Sequence, residues 1–111
     1  MNEKANKLIV INVKMVDILK EYPVVLPKGC VWFTLQVRDG TAAKLAVVSD
    51  KAATAENPYW NIKASATITE RDLNISRLEG FTFYVACGTA NKWIEVLCGV
   101  YDPKLDTETG D

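Results

Sequence analysis

From residue 8 to residue 100, apolar and polar side chains alternate with a period of two, and no long stretch keeps a helical period of about 3.6. Successive side chains of a strand point to opposite faces, so this pattern describes strands with one buried face and one outward face. In Leu8 to Met15, Ile9, Ile11, Val13 and Met15 share a face opposite Asn12 and Lys14. In residues 30 to 38, Val31, Phe33, Leu35 and Val37 oppose Trp32, Thr34, Gln36 and Arg38. Trp60, Ile62, Ala64, Ala66 and Ile68 form a third such face, and Phe81 to Cys87 and Lys92 to Tyr101 supply two more strands. At Val16 to Tyr22 the alternation breaks, and a bulge and a single helical turn fit the residues equally well.

About six short strands with turn signals between them predict an all-β, antiparallel β-sandwich or jelly-roll-like barrel. A single sheet would leave an apolar face uncovered, and there is no helical segment to cover it. The 111 residues suffice for one core but not two. The reading divides the chain into a polar N-terminal arm over 1–7, a sandwich domain over 8–102 and an acidic, flexible tail over 103–111.

Two hairpins follow from the turn residues. Asp39-Gly40-Thr41, with Gly40 left-handed, sets Leu35 opposite Leu45 and Phe33 opposite Val47. A loop through Gly88-Thr89-Ala90-Asn91 sets Phe83 opposite Val96, Val85 opposite Ile94 and Phe81 opposite Cys98. Phe33, Leu35, Trp60, Ile62, Phe83, Val85, Ile94 and Val96 are therefore the expected core. The last register keeps Cys87 from Cys98, and all three cysteines, Cys30, Cys87 and Cys98, are expected as buried free thiols.

The sequence offers little for catalysis. It contains no histidine, which excludes histidine triads, histidine metal sites and imidazole acid–base chemistry. Its glycines are scattered, so no phosphate-binding loop forms. Glu56, Glu70, Asp72 and Glu95 have no spacing that singles out a catalytic pair. The expectation is a protein that is not an enzyme, with no cofactor, catalytic residue or metal. A net charge of −1 gives no electrostatic reason to expect nucleic acid or an anionic membrane. No apolar run approaches the roughly 20 residues of a membrane span. The polar start, followed by an apolar stretch broken by Asn12 and Lys14, is unlike a signal peptide and points to synthesis in a cytoplasm.

What remains is surface. Trp32, Tyr84 and Trp93 lie on the parity opposite the core residues of their own strands. The hairpin register puts Trp93 beside Ala86 and diagonal to Tyr84, with Glu95 and Arg38 at the rim. Large rings bordered by polar groups suit a protein partner or a sugar. The competing explanation is that a loop or the N-terminal segment covers them. Trp32, Arg38, Tyr84, Trp93 and Glu95 are the candidate partner-binding residues.

The runs Leu26-Pro27-Lys28-Gly29, Phe33-Thr34-Leu35-Gln36-Val37-Arg38, Tyr59-Trp60-Asn61-Ile62-Lys63-Ala64, Phe83-Tyr84-Val85-Ala86 and Ile94-Glu95-Val96-Leu97, read in order, resemble small virion proteins of tailed bacteriophages and prophages. The resemblance covers roughly residues 23 to 100 and consists of strand patterning. It implies a capsid-decoration or neck component, made in the bacterial cytoplasm and placed in the virion, that binds other virion proteins or further copies of itself. It transfers no functional residue. The alternative is a carbohydrate- or receptor-binding module using Trp32, Tyr84 or Trp93 as stacking platforms.

Overall fold

A computed structural model describes residues 4–73 and 80–105. The chain is all-β, with strands β1 (Lys7–Met15), β2 (Tyr22–Leu26), β3 (Cys30–Val37), β4 (Ala43–Ala46), β5 (Trp60–Ile62), β6 (Thr67–Glu70), β7 (Phe81–Ala86) and β8 (Lys92–Val100). One short helix, α1 (Lys51–Thr54), lies between β4 and β5. The outer parts of the expected arm and tail lie outside the described residues, as does most of the connection before Gly80.

The strands form two antiparallel sheets of four: β1-β8-β3-β6, called sheet A, and β2-β7-β4-β5, called sheet B. Within them β1 pairs with β8, β2 with β7, β3 with β6 and β4 with β5. The chain is thus a long antiparallel ribbon folded at the β4–β5 connection. Rolling that ribbon sets β3 beside β8 and β4 beside β7. This is a two-layer β-sandwich with jelly-roll strand order, within the all-β antiparallel class expected.

Both predicted hairpins are corrected by this topology. Leu35 pairs with Ile68 and Val96, not Leu45. Phe83 pairs with Val24, and Val85 with Tyr22 and Leu45, while Val96 and Ile94 lie in the other sheet. In each case the turn carries the chain from one sheet to the other. The parity argument survives because apolar faces that would match side by side also match face to face. Gly40 does adopt the left-handed conformation, with φ 83°, and Asp39 Oδ1 accepts from the Thr41 N–H at 3.1 Å.

Between the sheets lie Met15, Val24, Leu26, Leu35, Ile62, Phe83, Val85, Ile94 and Val96, all nearly inaccessible. Phe33 of sheet A stacks on Phe83 of sheet B with ring centroids 6.0 Å apart, stitching the layers together. A β-bulge between Cys30 and Trp32 shifts the phase of β3. Cys30 is thereby buried on the same side as Leu35 and Val37. Just before it, Gly29 has φ +81°, and an added Cβ would stand 2.7 Å from the Tyr101 carbonyl oxygen, so only glycine suits this turn. Cys30, Cys87 and Cys98 are buried free thiols; Cys87 follows β7 of sheet B, whereas Cys98 lies in β8 of sheet A. Burial, reinforced by neighbouring Cys30, pushes the Cys98 thiol up to about 11, which keeps it protonated and unreactive.

Two further expectations change. The strand expected over 59–69 is split: Ser65 turns left-handed (φ 61°), sending β5 to sheet B and β6 to sheet A. Trp60 is 63% exposed rather than core. It shares the parity of buried Ile62 but begins an edge strand. Parity assigns a face, and burial also needs something standing opposite. At Val16 to Tyr22 the chain makes a turn, with Leu19 left-handed and donating its N–H to the Cys87 carbonyl at 2.9 Å.

Candidate functional site

The outer face of sheet A is a grid that the registers define. Lys14 lies beside Trp93, Asn12 beside Glu95, Val10 beside Leu97, and Leu8 beside Gly99. On the other side of β8, Gln36 adjoins Glu95, Thr34 adjoins Leu97 and Trp32 adjoins Gly99. Thr67 and Thr69 of β6 complete the rows next to Gln36 and Thr34.

One end of this grid is charged and aromatic. The Arg38 guanidinium lies 5.0 Å from the centre of the Trp93 ring, and the Lys14 ammonium 5.8 Å from it. Lys14 comes from β1 and Arg38 from just after β3, the two neighbours of β8, so both cations lie against the indole. Arg38 Nε donates to Glu95 Oε2 at 2.6 Å. Gln36 Nε2 donates to Glu95 Oε1 at 3.1 Å, and the Thr67 hydroxyl donates to Gln36 Oε1 at 3.2 Å. Beside this row, Lys92 Nζ donates to Asp39 Oδ2 at 2.5 Å. The result is a pre-ordered polar lattice around one ring.

These contacts set the acid behaviour of the face. The Gln36 amide, then Arg38, hold the Glu95 carboxyl below its usual range. Lys92, then Thr41, lower Asp39 from 3.8 to about 2. A carboxyl whose folded pKa is depressed adds stability that is present above the unfolded value and lost as pH falls through the folded one. For Asp39 that loss runs from 3.8 down to about 2. Carboxyl NMR titration should therefore place the Asp39 midpoint near 2, with Lys92→Met returning it toward 3.8. An ordinary midpoint in the unmodified protein would contradict the Lys92 contact.

The other end of the grid is apolar. Leu8 and Val10 are exposed on β1, with Leu97 beside Val10. The Trp32 ring packs against Gly99: a Cβ there would stand 2.2 Å from the indole Nε1 and 2.7 Å from the Ala5 Cβ. Gly99 is thus the seat of the Trp32 ring.

Of the five candidate residues, the fold brings Arg38, Trp93 and Glu95 together. Trp32 shares their face but sits at the opposite end. Tyr84 does not join them: it lies in sheet B between Pro23 and Ala46, and the expected Trp93–Ala86 neighbourhood is absent because β7 and β8 belong to different sheets. Tyr84 is half-buried where its sheet is covered: Ala52 and Ala53 of α1, with Tyr59, pack on Ala46 and Ala86. The β4–β5 connection thus covers part of sheet B beside Tyr84. Lys14 was missed by the sequence reading, since its proximity to Trp93 depends on the β1–β8 pairing. The exposed Trp60 was missed as a surface ring because its parity pointed inward.

Two open grooves lie at the ends of the sandwich. One, of about 510 Å³, includes Lys7, Pro27, Lys28, Tyr101 and Lys104 in its lining. The other, of about 570 Å³, includes Thr41, Lys44, Asn61, Lys63 and Thr89. Among the described residues no three His, Cys, Asp or Glu side chains gather as a metal site.

Fold and surface together define a jelly-roll domain with a packed interior and an ordered aromatic–charged face. No protein-family model matches the chain, and no curated protein matches it. Among solved structures it is similar to a de novo designed double-stranded β-helix determined by solution NMR. That similarity is 9% sequence identity over 84% of this chain and 97% of the other, with a TM-score of 0.46. At this level it carries no functional information.

Proposed function

We propose that this domain is a structural component of a tailed-phage virion, a capsid-decoration or neck protein that binds another virion protein across the outer face of sheet A. The observation that carries the reading is Trp93, held between Lys14 and Arg38 and bordered by the Glu95–Gln36–Thr67 chain. Ordering these groups in advance reduces the entropy lost on binding, and a ring inside a polar rim is the make-up of an interface hot spot. The jelly roll is an architecture that capsid and lectin domains both use, which is compatible with this reading and with its sugar-binding rival. The strand patterning that resembles small virion proteins adds to it.

The two cations favour a protein partner over a sugar at Trp93, because they compete for the ring surface on which a sugar would stack. Trp60 favours the second reading, a carbohydrate-binding module, at another place. Its exposed ring on an edge strand is open for stacking.

Mass spectrometry of particles purified from the phage or induced prophage that carries this sequence tests the first reading. The chain should be present in many copies per particle and persist through density-gradient purification. Its absence from intact particles would overturn the proposal, and glycan binding abolished by Trp60→Ala would establish the alternative.

A further inference from the structure

A sandwich of two sheets has four edge strands, and each edge exposes backbone donors and acceptors that invite another strand. Three edges here are protected. β5 has three residues. β6 has four, ending in Glu70. β2 carries an exposed Pro23, which has no N–H to donate. The fourth edge, β1, is nine residues long, and between Lys7 and Lys14 it contains neither proline nor charge. Its outward side chains Leu8 and Val10 are 64% and 65% exposed.

The hydrogen bonds show which backbone groups of β1 are free to pair. The Arg38 N–H donates to the Trp93 carbonyl, and the Tyr101 N–H to the Gly29 carbonyl, each at 2.9 Å. Odd residues of β8 therefore bond toward β3, and the even ones toward β1. Their partners on β1 are the odd residues Ile9, Ile11 and Val13. Leu8, Val10, Asn12 and Lys14 consequently aim their N–H and C=O groups away from the sheet. No bond to that edge occurs among the described residues.

We propose that two copies of this chain pair antiparallel through β1, about a twofold axis at Val10, joining both A sheets into one eight-stranded sheet. The strand is self-complementary in this register. Val10 faces Val10 of the second copy, Leu8 faces Asn12, and the outward backbone groups meet each other. Leu97, Val10 and their equivalents form one apolar row across the axis, with each Leu8 diagonal to a Val10. The strand's cations stay apart: Lys7 faces Val13 of the second copy, and Lys14 faces Asn6. A foreign strand would satisfy the backbone equally well, but the match of apolar row to apolar row and the separation of the lysines are properties of this sequence with itself. The proposal does not depend on the Trp93 face.

Light scattering on the eluting protein tests it. The wild type should show twice the single-chain mass of 12.3 kDa. Val10→Lys, a change natural edges use against pairing, should halve that mass and leave the melting temperature of the fold in place. Trp93→Ala should keep the doubled mass, which separates this inference from the partner-binding one. In Val10→Cys, the two introduced thiols should cross-link on mild oxidation, since Cα atoms about 5.5 Å apart in such a pair suit a disulfide. A single-chain mass for the wild type overturns the proposal, as does a doubled mass that survives Val10→Lys. Failure of the Val10→Cys cross-link overturns the register.

Discussion

Phe83→Ala should cost about 3–5 kcal/mol, the range for a buried phenylalanine whose removal leaves a cavity. The ring is 2% exposed and stacks on Phe33 across the two sheets. Its loss therefore removes contacts from both layers at once. The nearest strands are held in place by their own ladders, Val24 opposite Phe83 on one side and β4 beyond on the other, so the space cannot close by simple collapse. Against a total stability of about 5–15 kcal/mol, this is a large fraction. A downward shift in melting temperature of roughly 15 °C or more is expected for a chain of this size. Phe81→Ala, at an exposed position of the same strand, should cost much less. Chemical denaturation of the two variants provides the check. A Phe83→Ala loss below about 1 kcal/mol would mean that the two sheets do not share the core described.

What the sequence made legible was faces, and what it concealed was partners. Seven of the eight expected core residues pack between the sheets, because period-two alternation states directly which side of a strand is apolar. The eighth, Trp60, obeys the same parity, but no strand stands over it at the sheet edge. Strand partners failed for a different reason. In a jelly roll, the turn after β3 and the turn after β7 each lead into the other sheet. The true partners of β8 are β3 and, at the far end of the chain, β1. Alternation cannot distinguish an apolar face matched beside its neighbour from one matched across a core.

The same limit governed the candidate site. Arg38, Trp93 and Glu95 were identified by outward parity and by chemistry, and their proximity holds because Gln36 of β3, and Arg38 just after it, happen to flank β8. Tyr84 satisfied the same criteria and belongs to the opposite sheet. Lys14 completes the cation pair around Trp93 through a pairing that spans most of the chain. No local signal announces it.

The most direct test of the partner-binding face is Trp93→Ala, measured for stability and binding in parallel. Under the proposed virion role, the probe is phage particles assembled without this chain, titrated with purified wild type and variant. Trp93 is half-buried on the outside of sheet A and takes no part in the core between the sheets. Its removal should therefore leave the fold's melting temperature nearly unchanged. It should also weaken attachment by about 2 kcal/mol or more, the scale of an interface hot spot and roughly a thirtyfold loss of affinity. Arg38→Glu, which breaks the contact with Glu95 and repels it, should weaken attachment in the same direction. Attachment of Trp93→Ala with wild-type affinity would contradict the account and remove this face from the function of the protein.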